Sequence, residues 1–163
     1  MKQEWTDILL SATAYRDTDF KMVYISDEIE VKLEGHLIKS QMMTTSPFAG
    51  ALISEIKAWT NKLQQIRAFI RAWNKCQVNW IHLEPIFTTE DIAYQMPDEA
   101  RMFKGIDVTW HAANTMLIDK PAVISIDTNH PDLIANLTSM MKTFEAIQSG
   151  FNFYLEKKRN YFA

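Results

Sequence analysis

Cysteine is nearly absent from this sequence. Cys76 is the single one in 163 residues, so no internal disulfide can form, and the composition fits a reducing intracellular compartment. Glycine is almost as scarce: Gly35, Gly50, Gly105 and Gly150 lie far apart. A phosphate-cradling loop needs glycines close together so that its backbone can approach the phosphates. Neither GxxxxGKS/T nor GxGxxG occurs, which excludes nucleotide binding by either loop type. No apolar run approaches the roughly 20 residues needed to cross a bilayer, and Ile8-Leu9-Leu10 is too short for a signal-peptide core. A basic excess is missing too. The net charge of −3 and a pI near 5.8 argue against a dedicated nucleic-acid binder. The expectation is a soluble, internal chain with neither nucleic acid nor membrane among its partners.

Residue sets with the spacing of a reaction centre are missing as well. The four histidines, His36, His82, His111 and His130, do not fall into metal-ligand spacing, and no Glu-x-x-His pair is present. His82 and Glu84, with Glu90 and Asp91 following, come nearest; a helix-end histidine and capping acids account for them. Cys76 has no base placed beside it by any signature and reads as a small apolar filler. The serines lack a GxSxG context. Glu90, Asp91, Asp98 and Glu99 sit where first-turn acids suit the helix dipole. No catalytic, cofactor-binding or metal site is expected in this segment, which is therefore not an enzyme by itself.

What the chain has in abundance is apolar periodicity, in a sequence that is 47% hydrophobic. Residues 1–25 differ from the rest: Trp5 to Ala14 and Phe20 to Ile25 flank the turn signal Arg16-Asp17-Thr18-Asp19, which suggests a β-hairpin. Ser26-Asp27 offers an N-cap for a helix of about 27–41, with Ile29, Leu33, His36 and Leu37 on one stripe. Ser46-Pro47 reads as a helix start, with proline at the first helical position. From there Leu52, Ile56, Trp59, Leu63, Ile66, Ile70, Trp73, Gln77 and Trp80 recur at spacings of three and four, one seam on a helix of about 47–82. Glu84-Pro85 should end it. Thr88 is expected to cap a short helix at about 89–95. Another helix, at about 97–118, carries Phe103, Ile106, Trp110, Ala113 and Leu117. Ala122 to Ile126 is ambiguous between a short helix and a strand. The last helix, about 131–160, carries Leu133, Leu137, Met140, Phe144, Ile147, Phe151 and Tyr154.

Seams of this kind cannot be buried alone and require packing into antiparallel bundles. The expected fold is mainly α: an elongated helical arrangement over 26–163, preceded by the small hairpin element. Trp59, Leu63, Ile66, Ile70, Trp73, Trp80, Phe103, Trp110, Phe144 and Phe151 are its structural seam. Arg67, Arg71 and Lys75 form a basic stripe at i, i+4, i+8, flanked by Lys57 and Lys62. That stripe is either a solvated helix face or a docking face for an acidic protein surface.

The stretch from about Asp27 to Phe162 resembles the dynein heavy chains. Asp27-Glu28-Ile29 with Leu33-Glu34-Gly35-His36 is similar to that family's DEI…LDDH segment. Gln41-Met42-Met43-Thr44-Thr45-Ser46-Pro47-Phe48 is similar to QxMxxSPF. Trp59, Leu63, Trp73, Gln77 and Trp80-Ile81-His82-Leu83-Glu84-Pro85-Ile86-Phe87 resemble W…L…W…Q..WLYLEPIF. Glu90-Asp91-Ile92, Gln95-Met96-Pro97, Glu99, Phe103, Asp107 and Trp110 continue the register. Ile147-Gln148-Ser149-Gly150 and Tyr154 to Arg159 resemble IQKGL..YLEKKR, and the LEPIF…EDI…QMP form looks axonemal. Gly35 departs from an acid, His82 from an aromatic and Ala163 from a proline.

The resemblance implies a fragment of a much larger chain: a piece of the linker, a helical lever arm lying across a ring of AAA+ modules. That arm transmits nucleotide-driven changes in the ring to the tail during microtubule-based motility. ATP with magnesium, and microtubules, would bind elsewhere in the parent chain, which would also contact other dynein subunits. The implied location is the cytoplasm and cytoskeleton, in the axoneme of a cilium or flagellum. The turns at Glu84–Thr89, Gln95–Asp98 and Asp119–Pro121 are expected pivots. The competing expectation is a helical scaffold or adaptor that binds an acidic partner through the Arg67/Arg71/Lys75 face.

Overall fold

A computed structural model of the chain describes Trp5 and residues 8–16, 20–47 and 50–162. Two strands come first, β1 (Ser11–Ala14) and β2 (Lys21–Tyr24). They are antiparallel, with Ser11 opposite Tyr24 and Ala14 opposite Lys21. Tyr15 N–H extends the pairing to the Phe20 carbonyl at 2.8 Å. The turn expected at Asp17-Thr18-Asp19 lies outside the described residues, but Arg16, leading into it, has φ +50°. Both strands are shorter than the apolar runs that suggested them.

The rest is helical: α1 (Asp27–Thr45), α2 (Ile53–Phe87), α3 (Glu90–Gln95), α4 (Pro97–Asp119), α5 (Ile126–Asn129) and α6 (Leu133–Phe162), with single 3-10 turns at Gly50–Leu52 and Val123–Ser125. Several boundaries depart from the sequence reading, each for a local reason. Ser46 is not a helix start; it is the extended C-cap of α1, its N–H on the Met43 carbonyl. Gly50 has φ +33°, a left-handed value that glycine adopts at little cost, and α2 begins only after the 3-10 turn that follows. Leu52, placed on the seam by spacing, therefore lies outside α2 and is 57% exposed.

At the other end of α2, Pro85 lies inside the helix rather than ending it. Its missing N–H leaves only one bond of the last turn unmade. The Thr88 and Thr89 hydroxyls donate to the Glu84 and Ile86 carbonyls at 2.8 and 2.7 Å. They satisfy acceptors that a helix C-terminus otherwise leaves orphaned. Thr88 thus closes α2 instead of capping α3, and Thr89, at the N-cap of α3, makes no side-chain cap bond. Ser26 likewise precedes α1 without a side-chain cap. The ambiguous stretch at 122–126 uses both conformations in turn: Ala122 makes an isolated antiparallel bridge with Leu9, and the chain then coils through the 3-10 turn into α5.

By tertiary contacts the chain forms two compact units that each draw on separated segments. One comprises residues 1–71 and 114–133, the other 72–113 and 134–163. In the first unit, α1 buries Ile29, Leu33, His36, Leu37 and Ser40, and α2 buries Trp59, Leu63, Ile66, Phe69 and Ile70. The amino-terminal segment is strapped to the 121–123 segment by Leu10 N–H to Pro121 O at 2.9 Å and Val123 N–H to Ile8 O at 3.2 Å. In the second unit the core is Trp73, Cys76, Trp80, Leu83 and Phe87 of α2, Phe103, Ile106 and Trp110 of α4, and Leu137, Met140, Phe144 and Ile147 of α6.

Candidate functional site

The most specified part of the second unit is aromatic. Trp73 and Trp110 stack at 4.4 Å between ring centroids, and Trp80 lies beside Trp110 at 6.3 Å in a near-parallel arrangement. Spacings of seven along α2 and of three and four along α4 bring these rings to facing helix surfaces. The Trp80 indole donates to the Asp107 carboxylate at 2.8 Å, and His111 Nε2 is 3.2 Å from the same oxygen. Asp107 therefore orients two rings on one face, and the large buried indole keeps its polar end satisfied. Further along, Phe87 contacts both Phe103 and Phe151, and Tyr154 hydrogen-bonds Gln95. At Gly150 a Cβ would meet the flexible Glu99 side chain, at the first turn of α4.

The first unit is held by buried polar contacts between residues far apart in sequence. The Trp5 indole donates to His36 Nδ1 at 2.8 Å, which makes Nε2 the protonated nitrogen of neutral His36. Val23 N–H, on β2, reaches the Asn114 side-chain carbonyl at 2.7 Å. Ser40 and Thr60 share a hydroxyl–hydroxyl bond, and Thr60 donates on to the Ile56 carbonyl at 2.8 Å. His130, buried, sets Nε2 3.3 Å from the Lys120 carbonyl.

Of the basic stripe, Arg67 and Arg71 both turn to one carboxylate, Glu34 on α1, at 3.6 and 3.9 Å. They link two helices of the first unit by ion pairs open to solvent. Lys57 and Lys75 are exposed and Lys62 is half-buried. The seam residues Trp59, Leu63, Ile66, Ile70, Trp73, Trp80, Phe103, Trp110 and Phe144 are buried, and Phe151 is half-buried. Gln77 is half-buried while Cys76, expected one residue off the seam, is fully buried. A 3.6-residue helix drifts by about 20° per heptad against a 3.5 repeat. The buried line accordingly passes from Ile66, Ile70 and Trp73 to Cys76, Trp80, Leu83 and Phe87. Burial pushes the Cys76 thiol up to about 12, the opposite of what a nucleophile needs, and its S–H points at the Leu137 carbonyl at 3.5 Å.

Among the described residues no group of three or more His, Cys, Asp or Glu side chains could hold a metal ion, and no helix is long and apolar enough to cross a membrane. An open groove of about 410 Å³ in the second unit is lined by Arg101, Gly105 and Thr109 of α4 and Asn136, Ser139 and Thr143 of α6, among others. It carries hydroxyls and one arginine.

The model for the dynein heavy chain, N-terminal region 2, matches residues 1–163 of the chain. The chain belongs to the dynein heavy chain family. Its likeness runs through the first 26 residues as well as the helical part. Human dynein axonemal heavy chain 3 is 39% identical over 162 residues, 99% of this chain. Mouse dynein axonemal heavy chain 12 is 39% identical over 158 residues, 97% of the chain, and rat dynein axonemal heavy chain 1 is 30% identical over 162 residues. The chain spans only 4% to 5% of the length of these dynein heavy chains. In this dynein segment the Trp80–Phe87 stretch forms the end of α2, and Asp107 and Trp110 of α4 meet Trp80.

Proposed function

We propose that this chain is a non-catalytic lever segment of an axonemal-type dynein heavy chain, part of the linker that carries nucleotide-driven movement of an AAA+ ring to the tail. The observation that carries the reading is the aromatic lock of Trp73, Trp80 and Trp110 with Asp107, in a chain matched along its whole length to a dynein amino-terminal region. A part that transmits force needs elements that do not yield. Here α2, 35 residues and so about 50 Å long, is gripped by large rings along its second half. Short connections, such as the single buried Met96 between α3 and α4, are positions where packed helices could pivot. ATP and magnesium act in the ring, microtubules bind at distant parts of the parent chain, other dynein subunits assemble on that parent, and the place of action is the axoneme.

The adaptor reading is weaker, because Arg67 and Arg71 share Glu34 of the same chain, which offsets part of the charge an acidic partner would meet. The test is energy transfer in the full-length heavy chain, between a dye at exposed Val78 and one on a ring module, with and without ATP. A nucleotide-dependent change of distance is expected. An unchanged distance through the cycle would overturn the lever reading.

A further inference from the structure

α1 has two apolar faces, and the core of its unit accounts for one. Ile29, Leu33, Leu37 and Ser40 are buried. On the outer face Val31, Ile38 and Met42 are 72%, 57% and 67% exposed. With Gly35 they fall at spacings of four, three and four, the seam that seats one helix against another. Gly35 sits in the interior of α1, where glycine weakens a helix relative to alanine, and a Cβ there would meet nothing within 4 Å. The packing of the chain itself does not call for a glycine at this position. Over it lies an open groove of about 520 Å³, walled by Val31 and flanked by Lys32 and Lys39.

The charges around this groove are segregated. Lys32 and Lys39, one heptad apart, run along one flank, and both are exposed. Glu34, towards the other flank, is neutralised by Arg67 and Arg71. Asp27 and Glu28 close the amino-terminal end of the groove. An anionic ridge lying along the lysines is attracted, and a basic ridge is repelled. We propose that this face of α1 docks an amphipathic helix of a partner protein, which places an apolar side chain over Gly35, a row of carboxylates along Lys32 and Lys39, and a basic residue by Asp27 and Glu28. The inference is independent of the lever reading and would hold for an adaptor equally.

The probe is a labelled synthetic helical peptide with leucines at spacings of three and four, glutamates at seven-residue intervals along one flank and a lysine at one end. Binding to the purified chain is followed by fluorescence anisotropy, beside a peptide with lysines on that flank and a scrambled one. The acidic peptide is expected to bind more tightly than the lysine-flanked one by about tenfold or more, and the scrambled peptide not at all. Gly35→Leu fills the groove and should cost about tenfold or more in affinity while the melting temperature holds or rises, a combination that damage to the fold cannot produce. Lys32→Glu with Lys39→Glu should invert the preference between the charged peptides. Equal binding of the scrambled peptide, no binding of the acidic one, or unchanged affinity in Gly35→Leu would overturn the proposal. Concentration-dependent dimerisation abolished by Gly35→Leu would overturn it in favour of a second copy on this face.

Discussion

The two units of this chain hold themselves together by different means. The second, residues 72–113 and 134–163, is built around stacked indoles and phenyl rings, with Asp107 holding the Trp80 indole N–H and lying 3.2 Å from His111 Nε2. The first combines the aliphatic face of α1 and the rings of Trp59 and Phe69 with single buried hydrogen bonds joining distant residues: Trp5 to His36, Val23 to Asn114, Ser40 to Thr60. Large rings gain through area, which is non-directional and survives small shifts. A buried hydrogen bond gains little net but costs its full desolvation when one partner is lost. The first unit should therefore be sensitive to polar substitutions that the second would absorb, and the second to loss of volume.

Removing an indole gives the largest effect. Trp110→Ala should destabilise the second unit by about 3–5 kcal/mol, from lost burial plus a cavity between Trp73 and Trp80. Hydrogen exchange by residue would show the loss in amides of 134–150. Equal loss in the β-hairpin would break the distinction between the units. Asn114→Ala comes next, at about 1–3 kcal/mol, because the Val23 N–H is left without its acceptor. Here faster exchange at Val23 and its neighbours in β2 is the readout, and an unaltered rate would mean that the bond holds nothing.

Reversing Arg67 and Arg71 to glutamate should cost below about 1 kcal/mol, since ion pairs open to solvent are worth little. Glu34→Arg added to that double variant should restore much of the loss in a urea melt. Near neutral pH Cys76 gives the smallest effect of all. Native chain should resist alkylation up to about pH 9, while the unfolded chain is modified readily. With the folded pKa raised above the ordinary thiol value of 9.0 to about 12, the unfolded state loses its proton first. Stability from the buried thiol is thus complete below about pH 9 and falls as pH climbs towards 12.

Much of the fold was legible because helical burial is periodic. Trp59, Leu63, Ile66, Ile70 and Trp73 on α2, Phe103, Ile106 and Trp110 on α4, and Met140, Phe144 and Ile147 on α6 stand at spacings of three and four, and all are buried. The hairpin was visible in two apolar runs around polar residues. Helix ends were not legible at Ser46-Pro47 or Thr88, because the same residue types serve a helix that is ending and one that is starting. Nor was the passage of the buried line from Gln77 to Cys76, which depends on the winding of α2 rather than on residue type. The Arg67/Arg71 stripe could be seen as charge, but its partner Glu34 lies more than thirty residues away and no local pattern points to it.

Taken alone, the sequence determined that the chain is helical, where its seams lie, and that neither GxxxxGKS/T nor GxGxxG occurs in it. These follow from interactions within a few residues: hydrogen bonding along the helix, side-chain spacing and the scarcity of glycine. Only the tertiary structure decided that Trp110 meets Trp73, that Asn114 answers Val23, that Glu34 gathers two arginines, and that Val31, Ile38 and Met42 stay uncovered. Such choices belong to pairs distant along the chain. Each is settled by which buried surfaces and polar groups can be satisfied together.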